Sequence, residues 1–199
     1  MLLRDGQGGK LLLRPRMVLI CHEDSPLDRW VLAAWLASFT DLVGLLVIRE
    51  NSCKQLLIRA RREIRRIGFL RFIDVLLFRL YYHLRWGKED KRWEAQTRES
   101  LSRKYPANLL DAVPLLSVVS PNAPEAVEFL RHQRPEFVMA RCKFLLRREV
   151  LTIPSRGVWV LHPGHCPEYR NAHGCFWALV EGEPELASVT LLQADEGID

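Results

Sequence analysis

The chain has 199 residues, 48% of them apolar and 27% charged, enough for one domain with a substantial core, and its mean hydropathy of −0.07 excludes a disordered or fibrous polymer. Its formal charge of +5 is uneven: residues 54–104 carry 15 Lys/Arg against 6 Asp/Glu, a balance of +9, and the remainder is acidic. No long uncharged apolar run or secretion-type leader is present, and the five cysteines form no CxxC pair, so no membrane span, zinc knuckle or disulfide framework is expected and the cytoplasm is the expected compartment.

After a glycine-rich start, residues 17–21 form a continuous apolar run, the mark of a strand buried on both faces. Ser25 and Pro26 are suited to start a helix that reaches Phe39, and a second apolar run covers 42–48, giving a βαβ unit. From Lys54 to about Tyr105 the period is helical, with breaks expected at Gly68 and near Gly87. A third strand is expected over 113–119, then a helix over 123–133 that begins after Asn122 with Pro124 in its first turn. Short strands at 137–140 and 158–161 flank a helical turn or two at 144–150. This alternation predicts an α/β fold, a Rossmann-like, mostly parallel sheet with helices on both faces. Residues 1–199 are thus expected to form a single domain with a basic helical insertion at about 54–104. Ligands in such folds sit beyond the carboxyl ends of the strands, which places His22 and His162 on one rim.

The chemistry-bearing residues concentrate after the last of these strands, in Leu161-His162-Pro163-Gly164-His165-Cys166-Pro167-Glu168-Tyr169-Arg170-Asn171-Ala172-His173-Gly174. Two prolines stiffen the loop, Gly164 admits dihedrals closed to other residues, and three histidines fall within twelve residues. His165 and His173 read equally as loop-packing or capping residues, and Cys166 and Cys175 as small buried side chains; no metal is expected. Arg170 suits a substrate carboxylate or phosphate, or an ordinary surface position.

With the later Phe176-Trp177-Ala178-Leu179, Gly182, Thr190-Leu191 and Asp195-Glu196-Gly197-Ile198-Asp199, this stretch resembles the 10-formyltetrahydrofolate-dependent formyltransferases. Their hallmark is Asn-x-His-Pro-Ser-Leu-Leu-Pro-x-Tyr-Arg-Gly, then a Gly-x-Thr strand and an Asp-x-Gly-x-Asp-x-Gly ending. The correspondence is dense from about Pro135 to Asp199 and weaker over the first 50 residues. The resemblance implies transfer of a formyl group from 10-formyltetrahydrofolate to an amine, with His162 as the polarising, proton-handling group and Asp199 as the carboxylate that tunes it. It further implies a pterin slot at Met139, Ala140, Arg141, Phe144 and Leu145, although Phe144 and Leu145 read equally well as core residues. His22, Arg170, His165 and His173 are the residues expected to meet the acceptor.

Two departures bear on activity. The family's Asn, two residues before the His, is Val160 here, and an isopropyl group donates no hydrogen bond to an oxyanion. Either Asn171, His165 or His173 replaces that donor, or the enzyme is slow or uses a more reactive acyl donor, or the chain is a binding module without catalysis. The sequence also ends at Asp199, short of the family's further Thr-Gly element, strand and helix, so the C-terminal end of the family domain is expected to be missing. The loop after the first strand has no glycine cradle for phosphate, which disfavours a ribonucleotide. A small-molecule amine acceptor, such as an amino sugar nucleotide, is the leading expectation. A catalytically impaired binding or scaffold protein is the second and a tRNA-directed enzyme the third. For the basic segment, a polyanion surface (tRNA or an anionic membrane face) competes with a helical hairpin whose Phe/Leu/Tyr side packs on the domain or on a second subunit. The latter is favoured: a homo-oligomer through residues 67–86, with nucleic acid disfavoured.

Overall fold

The computed structural model describes residues 2–4, 11–49, 53–170 and 173–195. The chain divides into two compact units, residues 1–49 with 107–199 and, between them, residues 50–106.

The first unit is built on a six-stranded sheet with the order β5-β4-β3-β6-β7-β8. Its strands are β3 (Arg16–His22), β4 (Asp41–Ile48), β5 (Leu115–Val118), β6 (Phe137–Arg141), β7 (Val158–Pro163) and β8 (Val189–Ala194). All neighbours pair in parallel except β7 and β8. The α/β architecture is therefore as the alternating pattern predicts. A short antiparallel pair, β1 (Leu2–Arg4) with β2 (Leu11–Leu13), lies in the start of the chain, where no strand was expected.

The central strands explain their own composition. From Met17 to His22 and from Leu42 to Ile48 every residue except Gly44 carries a side chain, and every residue is buried, because both faces of β3 and β4 are covered. On one face Val18, Ile20, Leu46, Ile48, Val138 and Val158 pack with Ala126, Val127 and Leu130 of α5 (Pro124–Gln133) and Val150 of α6 (Arg148–Leu151). A helical segment follows β3: a wide π-type turn over Leu27–Leu32 that continues as α1 (Ala33–Phe39), burying Ala33, Ala34, Leu36 and Ala37. Ser25 donates to the Asp28 side chain (2.7 Å) instead of capping a backbone N–H.

Arg16 ties the opposite edge of this sheet to the helix end. Its guanidinium donates to the carbonyls of Gln133 (2.6 Å) and Arg134 (3.3 Å), orphan acceptors at the C-terminus of α5, where the dipole favours a cation. Gly44 follows a bulge that shifts the β3–β4 register between Met17 and Val18. A Cβ on it would stand 2.9 Å from Phe129 Cζ and 3.3 Å from Gln133 Cγ, so any larger residue there must displace the Phe129 ring.

The expected helix over 144–150 is corrected: only Arg148–Leu151 is helical, and residues 142–147 form an irregular loop. Asn122 does not cap α5, whose N-cap is Ala123. The same loop claims the Asn122 side chain.

The second unit is three consecutive helices, α2 (Cys53–Ile67), α3 (Phe69–Arg85) and α4 (Gly87–Lys104). The chain breaks at Gly68, with φ of +84°, and again at Trp86 and Gly87, the two expected positions. Tyr82 Oη donates to Asp90 Oδ2 (2.7 Å), joining α3 to α4, and this bond holds the phenol above its ordinary pKa. None of the described side chains of this unit is buried.

Gly44→Val is expected to destabilise the first unit by about 1–3 kcal/mol through overpacking against Phe129, read as a lower midpoint in urea unfolding. A midpoint within error of the parent would contradict the close approach.

Candidate functional site

The carboxyl edge of the sheet carries the site, and an irregular loop shapes it. Residues 142–147 leave β6 with no ladder to satisfy their backbone, and side chains from two other strand ends do so instead. His22 Nε2, at the end of β3, accepts from Lys143 N–H (3.1 Å), while the buried imidazole lies over Phe144 at 6.2 Å between ring centroids. Asn122, beyond β5, donates through Nδ2 to Leu145 O (2.9 Å) and accepts at Oδ1 from Arg147 N–H (2.8 Å). One amide thus imitates a strand partner for two peptide groups. Beside them Arg141 Nε lies 3.5 Å from Asp28 Oδ1, joining the end of β6 to the turn after β3.

The second wall is the loop after β7. Thr190 on β8 accepts at Oγ1 from Cys166 N–H (3.1 Å) and donates to Gly164 O (2.7 Å). Gly164, at φ of +154°, and Gly174, opening α7 (Gly174–Val180), both abut the carbonyl of Tyr169 so closely that a Cβ on either would overlap it. Tyr169 N–H donates to His165 O (2.6 Å), and Tyr169 Oη donates to Glu183 Oε2. That bond to a carboxylate, with the nearby charges of Glu181 and Glu185, pushes the phenol up to about 12, so it stays protonated at physiological pH.

Between the two walls lies a cavity of about 600 Å³, within the size range of small-molecule sites. Register puts Ala140, Val160 and Leu192 side by side on one face of the sheet as its floor, with His162, across from Thr190, one pleat nearer the carboxyl edge. Phe144, Leu145, Leu146 and Leu151 supply apolar walls, and Lys143, Arg148, Arg170 and Asp195 supply charge. His162 Nε2 is buried and has no hydrogen-bond partner among the described residues. A buried ring nitrogen without a partner leaves bonding capacity for a ligand to complete.

The residues singled out in the sequence divide accordingly. His162, Ala140, Phe144, Leu145 and Arg170 come together on the cavity. Met139 is buried in β6, on the face opposite Ala140, and Arg141 is engaged with Asp28 and with Leu161 O (3.4 Å). His22 braces the loop from behind. His165 bonds Ser188 Oγ through Nδ1 (3.3 Å) and faces Glu168 Oε2 through Nε2 (3.7 Å); His173 is exposed in a left-handed conformation ahead of α7. Neither is among the residues that line the cavity. Asn171 and Asp199 lie outside the described residues.

Several cavity residues escaped the sequence reading: Leu146, Arg148, Leu151, Leu192, Gln193 and Ala194. The alternation of Leu192 and Ala194 with outward neighbours was a usable signal for the floor; nothing local marks Asn122 as the loop's anchor. Burial pushes the Cys21 thiol up to about 12, with the Asp28 charge adding, and burial raises Cys142 as well, so both are thiols rather than nucleophilic thiolates at neutral pH. No group of three or more metal-ligating side chains occurs among the described residues.

Known proteins resemble this chain in part. Methionyl-tRNA formyltransferase of Caldanaerobacter subterraneus is 37% identical over 79 residues, 39% of this chain and 25% of that protein. Those of Chloroflexus aggregans (36% over 94 residues, 47% of this chain and 30% of that protein) and Thermodesulfovibrio yellowstonii (40% over 75 residues, 37% and 24%) are similar. The resemblance to formyltransferases stands, over part of the chain. The matches span about a quarter of the length of these relatives. No family model matches. Among solved structures, a glycinamide ribonucleotide transformylase of Symbiobacterium toebii superposes with a TM-score of 0.50 at 13% identity, covering 98% of this chain and 74% of that one. The phosphoribosylglycinamide formyltransferase of Anaplasma phagocytophilum gives 0.50 at 13%, covering 94% and 68%. At that identity the likeness speaks for the fold: the Rossmann-like sheet of formyltransferases.

Asn122→Ala is expected to lower unfolding stability by about 1–3 kcal/mol, leaving two backbone groups of the loop without their partner. Limited proteolysis should then cut first within 142–147; cleavage elsewhere would remove Asn122 as the anchor. Iodoacetamide at pH 8 should leave Cys21 unmodified in the native chain and label it in denaturant, by mass spectrometry, since its thiolate is scarce and buried.

Proposed function

We propose that the first unit binds 10-formyltetrahydrofolate in the cavity and transfers its formyl group to an amine. The observation that carries this reading is His162: its buried Nε2, without a partner among the described residues, belongs to a residue at the carboxyl end of β7 that lines the cavity beside an apolar slot. The residues present fit the donor. Phe144, Leu145, Leu146 and Leu151 suit a flat heteroaromatic ring, the loop backbone supplies donors and acceptors at its edge, and about 600 Å³ accommodates such a group.

When bound, the folate supplies an activated formyl group at N10. His162 polarises the carbonyl and handles the proton of the incoming amine; its position is held by β7 and by the Thr190 bonds that shape the adjoining loop. Asp199, by resemblance, tunes that imidazole. Arg170 at the cavity rim orients an anionic group of donor or acceptor. The rate suffers from Val160. It lies on the cavity floor on the same face of β7 as His162, so an amide in its place would reach the reaction centre. The acceptor is an amine of a class that the relatives' name and the sequence leave between methionyl-tRNA and a small amino compound such as an amino sugar nucleotide. Val160 favours a second reading as well: a folate-binding protein without turnover.

The test is formyl transfer from labelled donor to a panel of methionyl-tRNA, amino sugar nucleotides and simple amines. His162→Ala is expected to lower kcat by about 10²-fold or more without loss of folate binding in calorimetry, and Val160→Asn to raise it by about tenfold or more. Folate binding with no turnover in either the parent or Val160→Asn would establish the binding-protein reading. Failure of folate derivatives to bind would overturn both.

A further inference from the structure

The second unit exposes an apolar face that nothing in the first unit's chemistry uses. On α3, Phe69, Leu70, Leu77, Leu80, Tyr81 and Leu84 are between 55 and 78% exposed. At 3.6 residues per turn these six fall within roughly 120° of the helix circumference; Asp74 and Arg85 border that stripe, and Arg71 and Arg79 lie on the other side with the exposed Phe78 and Tyr82. Leu57 and Ile58 of α2 are also exposed, among the exposed Arg61, Arg62, Arg65 and Arg66. Trp86 and Trp93 are exposed on the chain after α3. Surface of this kind, on the order of several hundred Å² of large aliphatic and aromatic side chains, marks an interaction site.

We propose that this unit docks, lying flat, on an anionic lipid surface. The charge decides between occupants. Residues 54–104 carry +9, and several of their six carboxylates are already engaged: Glu63 with Arg66, Asp90 with Tyr82, Glu99 with Arg103. Two copies joined helix face to helix face through this segment would bring two such charges together. A single-stranded nucleic acid answers the arginines but leaves Leu70, Leu77, Leu80 and Leu84 in water. An anionic bilayer answers both, because its headgroups meet the cations while its acyl boundary takes the aliphatic stripe. Exposed tryptophan and tyrosine suit the level between them. No helix among the described residues is long and apolar enough to cross a membrane, so docking here means lying in the interface. This inference does not rest on formyl transfer.

The experiment is flotation of the full chain with vesicles of phosphatidylcholine alone or with about a third phosphatidylglycerol, with light scattering of the lipid-free protein and a tRNA competition alongside. Binding to the anionic vesicles is expected to exceed that to the neutral ones by about tenfold or more and to weaken with salt. The double variant Leu77→Asp/Leu84→Asp, at exposed positions, should reduce it by about tenfold or more with unchanged circular dichroism. Arg71→Glu/Arg85→Glu should remove most of the preference for anionic lipid with unchanged circular dichroism. Absence of flotation, or flotation indifferent to both variants, would overturn the proposal. So would a lipid-free dimer that Leu77→Asp/Leu84→Asp dissociates, which would assign the face to a second copy, or tRNA binding in the absence of any vesicle binding.

Discussion

The cavity depends on backbone groups that have no partners of their own. Between β6 and α6 the chain runs for six residues without a ladder or a helix, and a polar backbone so placed costs free energy unless something bonds it. His22 and Asn122 do so from opposite sides, one at the end of β3 and the other beyond β5. Their three bonds hold Phe144 and Leu145 as a wall. Without them those apolar side chains would have every reason to collapse onto the Val160 and Leu192 floor.

The strand order shows why these two residues are in reach. From β3 the chain builds outward through β4 and β5, then returns to lay β6 on the other flank of β3 and continues to β7 and β8. The reversal opens a crevice between β3 and β6 at their carboxyl ends, the usual place for a ligand in such sheets. Here that crevice is crossed by the Asp28–Arg141 pair and the His22–Lys143 bond, and the cavity sits one strand further along, over β6, β7 and β8. His22 therefore contributes by fixing a wall, which is a different chemical use of an imidazole from that of His162.

Much of this frame was legible in the residues. The runs at 17–21 and 42–48 are continuous because both faces of β3 and β4 are covered, and that is why they read as strands to within a residue. The helical breaks at Gly68 and Gly87 were readable because glycine lowers the cost of leaving a helix. Residues 144–150 were expected to hold a helical turn or two, and one turn is present at Arg148–Leu151; ahead of it His22 and Asn122, more than twenty residues away in sequence, bond the backbone of Lys143, Leu145 and Arg147, which no local pattern records. Asn122 looked like a cap because an Asn just before a helix usually is one. His162 emerged from the motif and its surroundings, whereas His165, equally prominent in that motif, bonds Ser188 and His173 is exposed ahead of α7.

The interruption of the first unit by the second governs the order in which the sheet can form. β3 takes its neighbour β4 early, but its other neighbour, β6, begins about 120 residues downstream, with the three-helix unit synthesised in between. Until β6 emerges, one flank of β3 is an open edge whose residues from Met17 to Cys21 are apolar. Contacts of such long range slow folding, and an unpaired apolar edge invites association with other chains in the meantime. A nascent chain of this protein therefore has its most aggregation-prone strand waiting longest for its partner, and early protection of residues 16–22 is a demand the fold makes on the cell that synthesises it.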